Sequence, residues 1–270
     1  MDIQQLKLLK ILVIGDSCID KYHFGISERL SQEAPVPVFR LLNTEENLGM
    51  AGNLYQNLKN LCPRATLITN EATITKERYI EKNSKQHLLR VDVGEKQKLK
   101  PFRKENYKNI ENGDYDCYCI SDYCKGFIDD VAIKQILDLA KKDKKPVFVD
   151  SKKRDLSLFN ECFIKINRHE YDLLTKVPKK SEIIITQGKE GSIWRRKSFN
   201  SVYSEVDDTT LAPNVVGAGD TFLAGFIIKH LLTKNIEASI VFANLCASIA
   251  VKNFGTYAIT LEDISDSLRF

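Results

Sequence analysis

NVVGAGDTF, residues 214–222, sets two glycines and an acidic residue at the head of a long apolar stretch. Gly217 and Gly219 let the backbone approach an anion closely, and the first N–H groups of a helix beginning at Ala218 would point at it. Asp220 falls in the first turn of that helix. A carboxylate there either caps the helix or takes a proton from a hydroxyl attacking a nearby phosphoryl group. The pattern is not the dinucleotide-binding fingerprint, because position 222 is Phe and the motif lies late in the chain. No G-x-x-x-x-G-K-[ST] occurs, so the chain is not a P-loop enzyme. On these residues alone, capping and proton abstraction both stand.

Outward from the motif, two long helices are predicted, over residues 218–232 and 236–254. Upstream, short apolar runs alternate with helical spacing. Strands are expected at Lys10–Asp16, Asp116–Ser121, Val147–Asp150, Phe163–Ile166 and Ile183–Thr186. Helices are expected at Asn47–Leu61, Ile128–Lys142 and Arg168–Thr175. Strand–helix alternation predicts an α/β fold, with a mostly parallel sheet covered by helices on both faces. Ala34–Leu42 alternates but carries Pro35 and Pro37, which confine it to an edge. Thr73–Ile80 and His87–Val93 alternate and are rich in β-branched residues. The segments at about 20–45 and 72–93 do not fit the buried sheet and are expected to form a small β-lid beside one domain spanning 1–270.

Composition narrows the functional classes. Of 270 residues, 43% are hydrophobic and 28% charged, an ordinary globular balance. No apolar run is long enough to span a bilayer, and the N-terminus lacks a signal-peptide pattern, so no membrane association is expected. Seven cysteines at irregular spacing argue for free thiols in a reducing cytoplasm rather than a disulfide framework. The net charge is +4, and the basic runs Lys141–Lys145, Lys152–Arg154 and Arg195–Lys197 lack interleaved aromatics. They read as solvated faces and not as a nucleic-acid surface. The four histidines show no metal spacing.

GAGDTF followed by a helix resembles the C-terminal signature of the ribokinase-like (PfkB) carbohydrate kinases, and the resemblance extends over nearly the whole chain. VIGDSCIDKYHFG, SQEAPVPVF, LGMAGNLYQNL, TITKERYI, LLRVD, ISDYCKG, PVFVDSKK, INRHEYD and FGT occur in the family's order. EAPVPV, TITK-x-R and SDY-x-KG are most like its heptose-phosphate branch. The resemblance implies a ribokinase-like fold, ATP and Mg²⁺ as cofactors, and Asp220 as catalytic base. Gly217, Ala218 and Gly219 would form an anion hole. Asp16 and Asp20 would bind sugar hydroxyls, with loop capping as the alternative for both. Gly49 and Asn53 match the sugar-contact segment, although Asn53 also suits a helix start. Lys76 and Arg78 share one strand face and could meet a phosphate. Arg90 and Asp92 repeat that geometry, with a plain ion pair as the alternative. Asp122 and Lys125 follow a strand end, where open α/β sheets bind ligands or merely turn.

On the nucleotide side, Asn167, Arg168, His169 and Glu170 match the family's Asn-x-x-Glu element. There Glu170 would organise Mg²⁺ through water and the ATP phosphates; a simple capping box is the alternative. Thr186, Gly188 and Gly191 would border the nucleotide or form an ordinary turn. Asn244 would lie near the adenine or merely be exposed helix polarity. The implied reaction is phosphorylation of the anomeric hydroxyl of a heptose 7-phosphate. The rivals are another sugar kinase of the fold and a sugar-responsive regulator without turnover. The implied partners are a small sugar phosphate and a second copy docked through the lid. The chain carries no H-x-G-H motif, so a separate adenylyltransferase is expected.

Three departures stand out. Met50 replaces a second glycine common in relatives. Asn214-Val215-Val216 lacks the carboxylate and hydroxyls of the usual lead into GAGD, so little dependence on K⁺ is expected. The step from Thr66–Thr69 to TITK is short where relatives carry roughly thirty more residues by this resemblance.

Overall fold

The computed structural model of the protein describes residues 3–71, 73–97, 99–111, 113–196, 199–201 and 215–267. Asn214 therefore lies outside the described residues, whereas Val215 and Val216 lie within them. The strands are β1 (Ile11–Gly15), β2 (Ser17–Ile26), β3 (Arg40–Met50), β4 (Thr66–Thr69), β5 (Thr75–Glu81) and β6 (His87–Val93). They continue with β7 (Cys117–Asp122), β8 (Val147–Ser151), β9 (Phe163–Asn167), β10 (Glu182–Thr186), β11 (Ser192–Trp194) and β12 (Phe199–Ser201). The helices are α1 (Ile3–Leu8), α2 (Ala51–Leu61), α3 (Lys104–Glu111), α4 (Asp130–Lys142), α5 (Arg168–Asp172), α6 (Ala218–Thr233), α7 (Ile236–Val251) and α8 (Leu261–Ser267).

The continuously apolar runs enter one eight-stranded sheet in the order β12-β11-β10-β9-β8-β7-β1-β4. Every pairing from β4 through β10 is parallel, and β11 and β12 add antiparallel at the edge. Such strands must be covered on both faces, and they are. Ile11, Val13, Cys119 and Phe148 pack with α1, α2, α6, α7 and α8 on one face. Leu12, Ile14, Tyr118 and Val149 pack with α3 and α4 on the other. Helix α6 is apolar all round because it is buried between the sheet, α2 and α7. This is the mostly parallel, helix-covered α/β architecture expected from the sequence.

The alternating strands form a second sheet, β3-β2-β5-β6. On β2, Cys18, Asp20, Tyr22 and Phe24 turn inward. Residues 32–36 are bends, Pro37 makes an isolated antiparallel bridge to Leu30, and β3 starts only at Arg40, consistent with two prolines that remove ladder donors. Strand β4 is the edge of the main sheet, and only residues 70–74 separate it from β5. All seven cysteines are free, and all but Cys124 are buried. No helix among the described residues is long and apolar enough to cross a membrane.

Candidate active site

Gly217 takes φ +81° at the N-cap of α6, with its carbonyl accepting the Asp220 N–H at 3.0 Å. A side chain there would be strained, and a Cβ would sit 2.7 Å from Asn53 Nδ2. The Ala218 N–H donates to the Val215 carbonyl at 3.3 Å. Of the three residues expected to form an anion hole, Ala218 thus has its N–H already engaged. The half-buried Gly219 offers the next donor at the positive end of the helix.

Asp220 is buried and held by two side chains. Asn53 Nδ2 donates to Oδ2 at 2.8 Å, and the Tyr123 hydroxyl donates to Oδ1 at 3.2 Å. The Asn53 amide is fixed in that sense by its neighbours. The Ile259 N–H donates to Asn57 Oδ1 at 3.1 Å, so Asn57 Nδ2 must face Asn53 Oδ1, at 3.2 Å. That leaves Asn53 Nδ2 for Asp220. Burial raises the Asp220 carboxyl from 3.8 to about 6, aided by the charge of Asp150 and offset by Lys165, Asn53 and Lys152.

A buried charge network backs this carboxylate. Lys165 Nζ meets Asp150 Oδ2 at 2.6 Å, and Lys152 Nζ meets Asp150 Oδ1 at 3.0 Å and Glu170 Oε1 at 2.7 Å. Burial pushes the Asp150 carboxyl up, but the two lysines overcome it and bring the group to about 2. Lys165 Nζ lies 2.7 Å from where a Cβ on Gly219 would be. Cationic charge therefore sits directly beneath the start of α6. Lys152 also stacks over the Tyr123 ring at 5.0 Å. Lys165, Asp150 and Tyr123 had no role expected from the sequence, and Lys152, expected on a solvated face, is instead drawn into this network by Asp150 and Glu170. One signal was available: a lysine inside the apolar strand FIKIN, residues 163–167, has to find a buried counter-charge.

On the sugar side the geometry corrects several expectations. Asp16 is fully buried, and its carboxylate accepts the N–H groups of Tyr123, Lys125 and Phe127 at 2.9, 3.0 and 3.1 Å. It anchors that loop and presents no free face to a sugar. Burial still raises its carboxyl above the ordinary range. Asp122, also fully buried, accepts from the Cys124 N–H and Ser151 Oγ, and is likewise a loop anchor. Asn53 serves Asp220 rather than a sugar. Asp20 does face the inner strip of the smaller sheet, and Gly49 is the residue that admits it: a Cβ there would lie 2.3 Å from Asp20 Oδ2. Met50 holds φ +57° and ψ −132°, a region glycine enters freely and other residues enter at about 1–3 kcal/mol.

Arg78 is only 5% exposed and pairs with Asp20 at 2.6 Å, stacked over the Tyr22 ring. Arg90 grips Asp92 through two bonds of 2.7 Å. Neither guanidinium is a free phosphate fork. Lys76 lies in register between Asp20 and Asp92 and makes no ion pair among the described residues. Lys125 Nζ meets Glu95 Oε1 at 2.8 Å, joining the main domain to the segment after β6.

On the nucleotide side, Asn167 and Glu170 form a complete capping box at the start of α5, while Glu170 also reaches Lys152. Arg168 pairs with Asp172 at 3.8 Å, and His169 is exposed. Thr186 ends β10, and Gly188 and Gly191 bracket a single 3₁₀ turn with positive φ, the former facing open space. Asn244 is buried rather than exposed and accepts from Ser192 Oγ at 3.2 Å. Asp16, Asp122, Asp150 and Asn167 all stand at or just past the C-terminal ends of parallel strands, which face the start of α6. Open α/β sheets bind ligands at that end.

The chain is similar to known proteins. The pfkB family carbohydrate kinase description matches residues 60–263. The bifunctional protein HldE of a Nitratiruptor species is 30% identical over 96% of this chain and 65% of its own length. HldE of Helicobacter pylori is 29% identical over 95% of this chain and 65% of its own. The chain thus spans a little under two thirds of these relatives. Among solved structures, Arabidopsis thaliana ribokinase complexed with ribose and ATP superposes with a TM-score of 0.66 at 17% identity, covering 97% of this chain and 99% of that one. Escherichia coli phosphofructokinase-2 with substrates and products gives 0.70 at 14%, covering 97% and 98%. These two show the fold.

Proposed function

This chain belongs to the pfkB family of carbohydrate kinases, and from that premise we propose that it phosphorylates the anomeric hydroxyl of a heptose 7-phosphate with Asp220 as the base. That it is an ATP-dependent sugar kinase follows from the family; the acceptor and the residue roles are the proposal. The observation that carries it is the Asp220 carboxylate, fixed by Asn53 and Tyr123 in the first turn of helix α6.

ATP supplies the transferred phosphoryl group. Asp220 accepts the proton of the attacking hydroxyl, and a carboxyl near 6 is mostly ionised at neutral pH yet basic enough to take it. The Gly219 N–H and the helix start stabilise charge developing on the phosphoryl oxygens, with Lys165 behind them. No group of three His, Cys, Asp or Glu side chains converges to hold a metal among the described residues. Magnesium typically keeps several waters and is held by substrate phosphates and one or two carboxylates. Glu170 fits as that carboxylate, acting through water. Thr186, the Gly188–Gly191 turn and Asn244 border the nucleotide.

The inner strip of the smaller sheet acts as a lid over the sugar. Its three cations, Lys76, Arg78 and Arg90, face two carboxylates, Asp20 and Asp92, a net of 3 − 2 = +1. With both arginines paired, that excess belongs to Lys76, which takes the phosphate already on the sugar. Asp20 keeps an oxygen for a sugar hydroxyl. The outer lid face exposes Leu41, Leu89 and Val93 and is the surface through which a second copy would dock. The enzyme works in the cytoplasm in this reading.

A coupled ADP-release screen over phosphorylated and free sugars tests the acceptor. Lys76→Ala is expected to lower kcat/KM for the phosphorylated sugar about ten- to a hundredfold, the loss of one charge-assisted contact, with the free analogue little changed. Equal losses on both, or a parent preference for free sugar, would exclude the heptose-phosphate assignment.

A further inference from the structure

The end of the main sheet opposite Asp220 holds a cavity of about 1030 Å³. It opens beside the starts of β8 and β9, between α4 and the loop that leads to β10. Lys134 and Lys141 reach it from α4, and Lys144 and Lys145 from the turn that follows. Lys176, Lys179 and Lys180 reach it from the opposite wall. Against these seven lysines the lining has two acids, Asp138 and Glu161, so the wall carries 7 − 2 = +5.

Part of that charge is compensated. Lys176 pairs with Asp155 at 2.9 Å, Lys180 with Glu161 at 3.7 Å and Lys145 with Asp114 at 3.9 Å. Lys134, Lys141, Lys144 and Lys179 make no ion pair among the described residues. The negative end of α4 accounts for favouring Lys141. It does not account for Lys179, which comes from another segment. Nor does it account for Lys144, which occupies a left-handed position (φ +55°) that helix ends usually give to glycine. The Lys145 N–H closes that turn on the Ala140 carbonyl at 2.9 Å. Glu161, on the same wall, is also left-handed at φ +61°. Two left-handed non-glycine residues, Lys144 and Glu161, thus stand on the wall of this one lysine-rimmed concavity.

Below the rim, Leu137, Val147, Leu158, Val177 and Pro178 make an apolar floor. The lining contains no aromatic side chain on which single-stranded bases would stack. An open cavity with a cationic rim and an apolar floor suits a small molecule with an apolar ring body and linked phosphates. We propose that this cavity is a second binding site, separate from the Asp220 site, for an organic polyphosphate of the nucleoside diphosphate class.

Hydrogen exchange on the intact chain, with ADP and separately with inorganic tripolyphosphate, tests this. ADP is expected to slow exchange in residues 137–147 and 176–181, in addition to residues 166–172 at the kinase site. In Lys144→Glu/Lys179→Glu, protection of the first two segments should require at least tenfold more ADP, while protection at 166–172 and turnover persist. Stronger protection by ADP than by tripolyphosphate supports the proposal. Equal protection by the two would overturn the role of the apolar floor. Absence of protection at 137–147 and 176–181, or its persistence in the charge-reversed variant, would overturn the site itself, whatever happens at 166–172.

Discussion

Asp220→Asn is expected to lower turnover by about 10²–10⁴-fold, the usual contribution of a positioned general base, while making the protein more stable at neutral pH. The first effect follows from removing the proton acceptor while keeping its shape and its bond to Asn53. The second follows from burial. The ordinary carboxyl value is 3.8 and the folded one is about 6, so the folded state holds the proton more tightly. Ionising Asp220 therefore works against folding. That cost is absent below pH 3.8, grows between 3.8 and 6, and is fully present above 6. A shift of this size corresponds to about 3 kcal/mol, which the neutral amide removes. At pH 7.5 the variant should melt several degrees above its parent, and at pH 4 the gap should nearly close. In the parent, kcat should fall about tenfold per pH unit once the pH drops below the base's value. A variant that keeps parental turnover would remove Asp220 from the chemistry. A variant destabilised at pH 7.5 would show that its carboxylate is held by more favourable contacts than the geometry gives it.

The frame of this fold was legible because burial leaves periodic traces. Continuous apolar runs such as Ile11–Ile14 and Phe148–Val149 became central strands. The alternating, β-branched segments went to the smaller sheet, and the proline-marked one joined it only from Arg40 onward. What left no trace was missed. Helix α3 buries little beyond Ile110, and β11 and β12 have three residues each, too short for a pattern. Boundaries moved for local reasons. The helix expected from Asn47 begins at Ala51 because residues 47–50 continue β3 against β2.

The site was legible as a set of polar residues near strand ends, but not as a set of pairings. Asp16 and Asp20 sit four residues apart, yet one is committed to three backbone donors and the other to Arg78. Which carboxylate meets which donor depends on residues 58 positions away for Asp20 and 107–111 away for Asp16, and no local pattern reports that. Asn53 shows the same limit: its partner, Asp220, is 167 residues distant.

Lys165→Met is expected to destabilise the fold by about 3–5 kcal/mol, the penalty for stripping one partner from a buried ion pair. The pair qualifies, since the side chains of Lys165 and Asp150 are 6% and 1% exposed. Lys152 stays 3.0 Å from Asp150 and is partly solvated, so it softens the loss and places it toward the lower end. Two consequences separate this from generic core damage. Asp150 is held near 2 by its lysines, and its contribution to stability is present above 3.8 and lost as pH falls through 2. Without Lys165 that advantage shrinks at every pH above 3.8. Asp220 also loses the first of the charges that counter its burial, so the acidic limb of the pH–rate profile should move to higher pH. Adding Asp150→Asn should restore most of the stability, because removing both partners of a buried pair leaves no orphaned charge. The same addition takes away the negative charge that raises Asp220, so the acidic limb should move back. Urea unfolding of the two single variants and the double variant measures the coupling, and strict additivity within about 0.5 kcal/mol would show that the pair does not act as a unit. An unshifted pH–rate limb in Lys165→Met would separate this network from the base and leave Lys165 as a buried structural cation only.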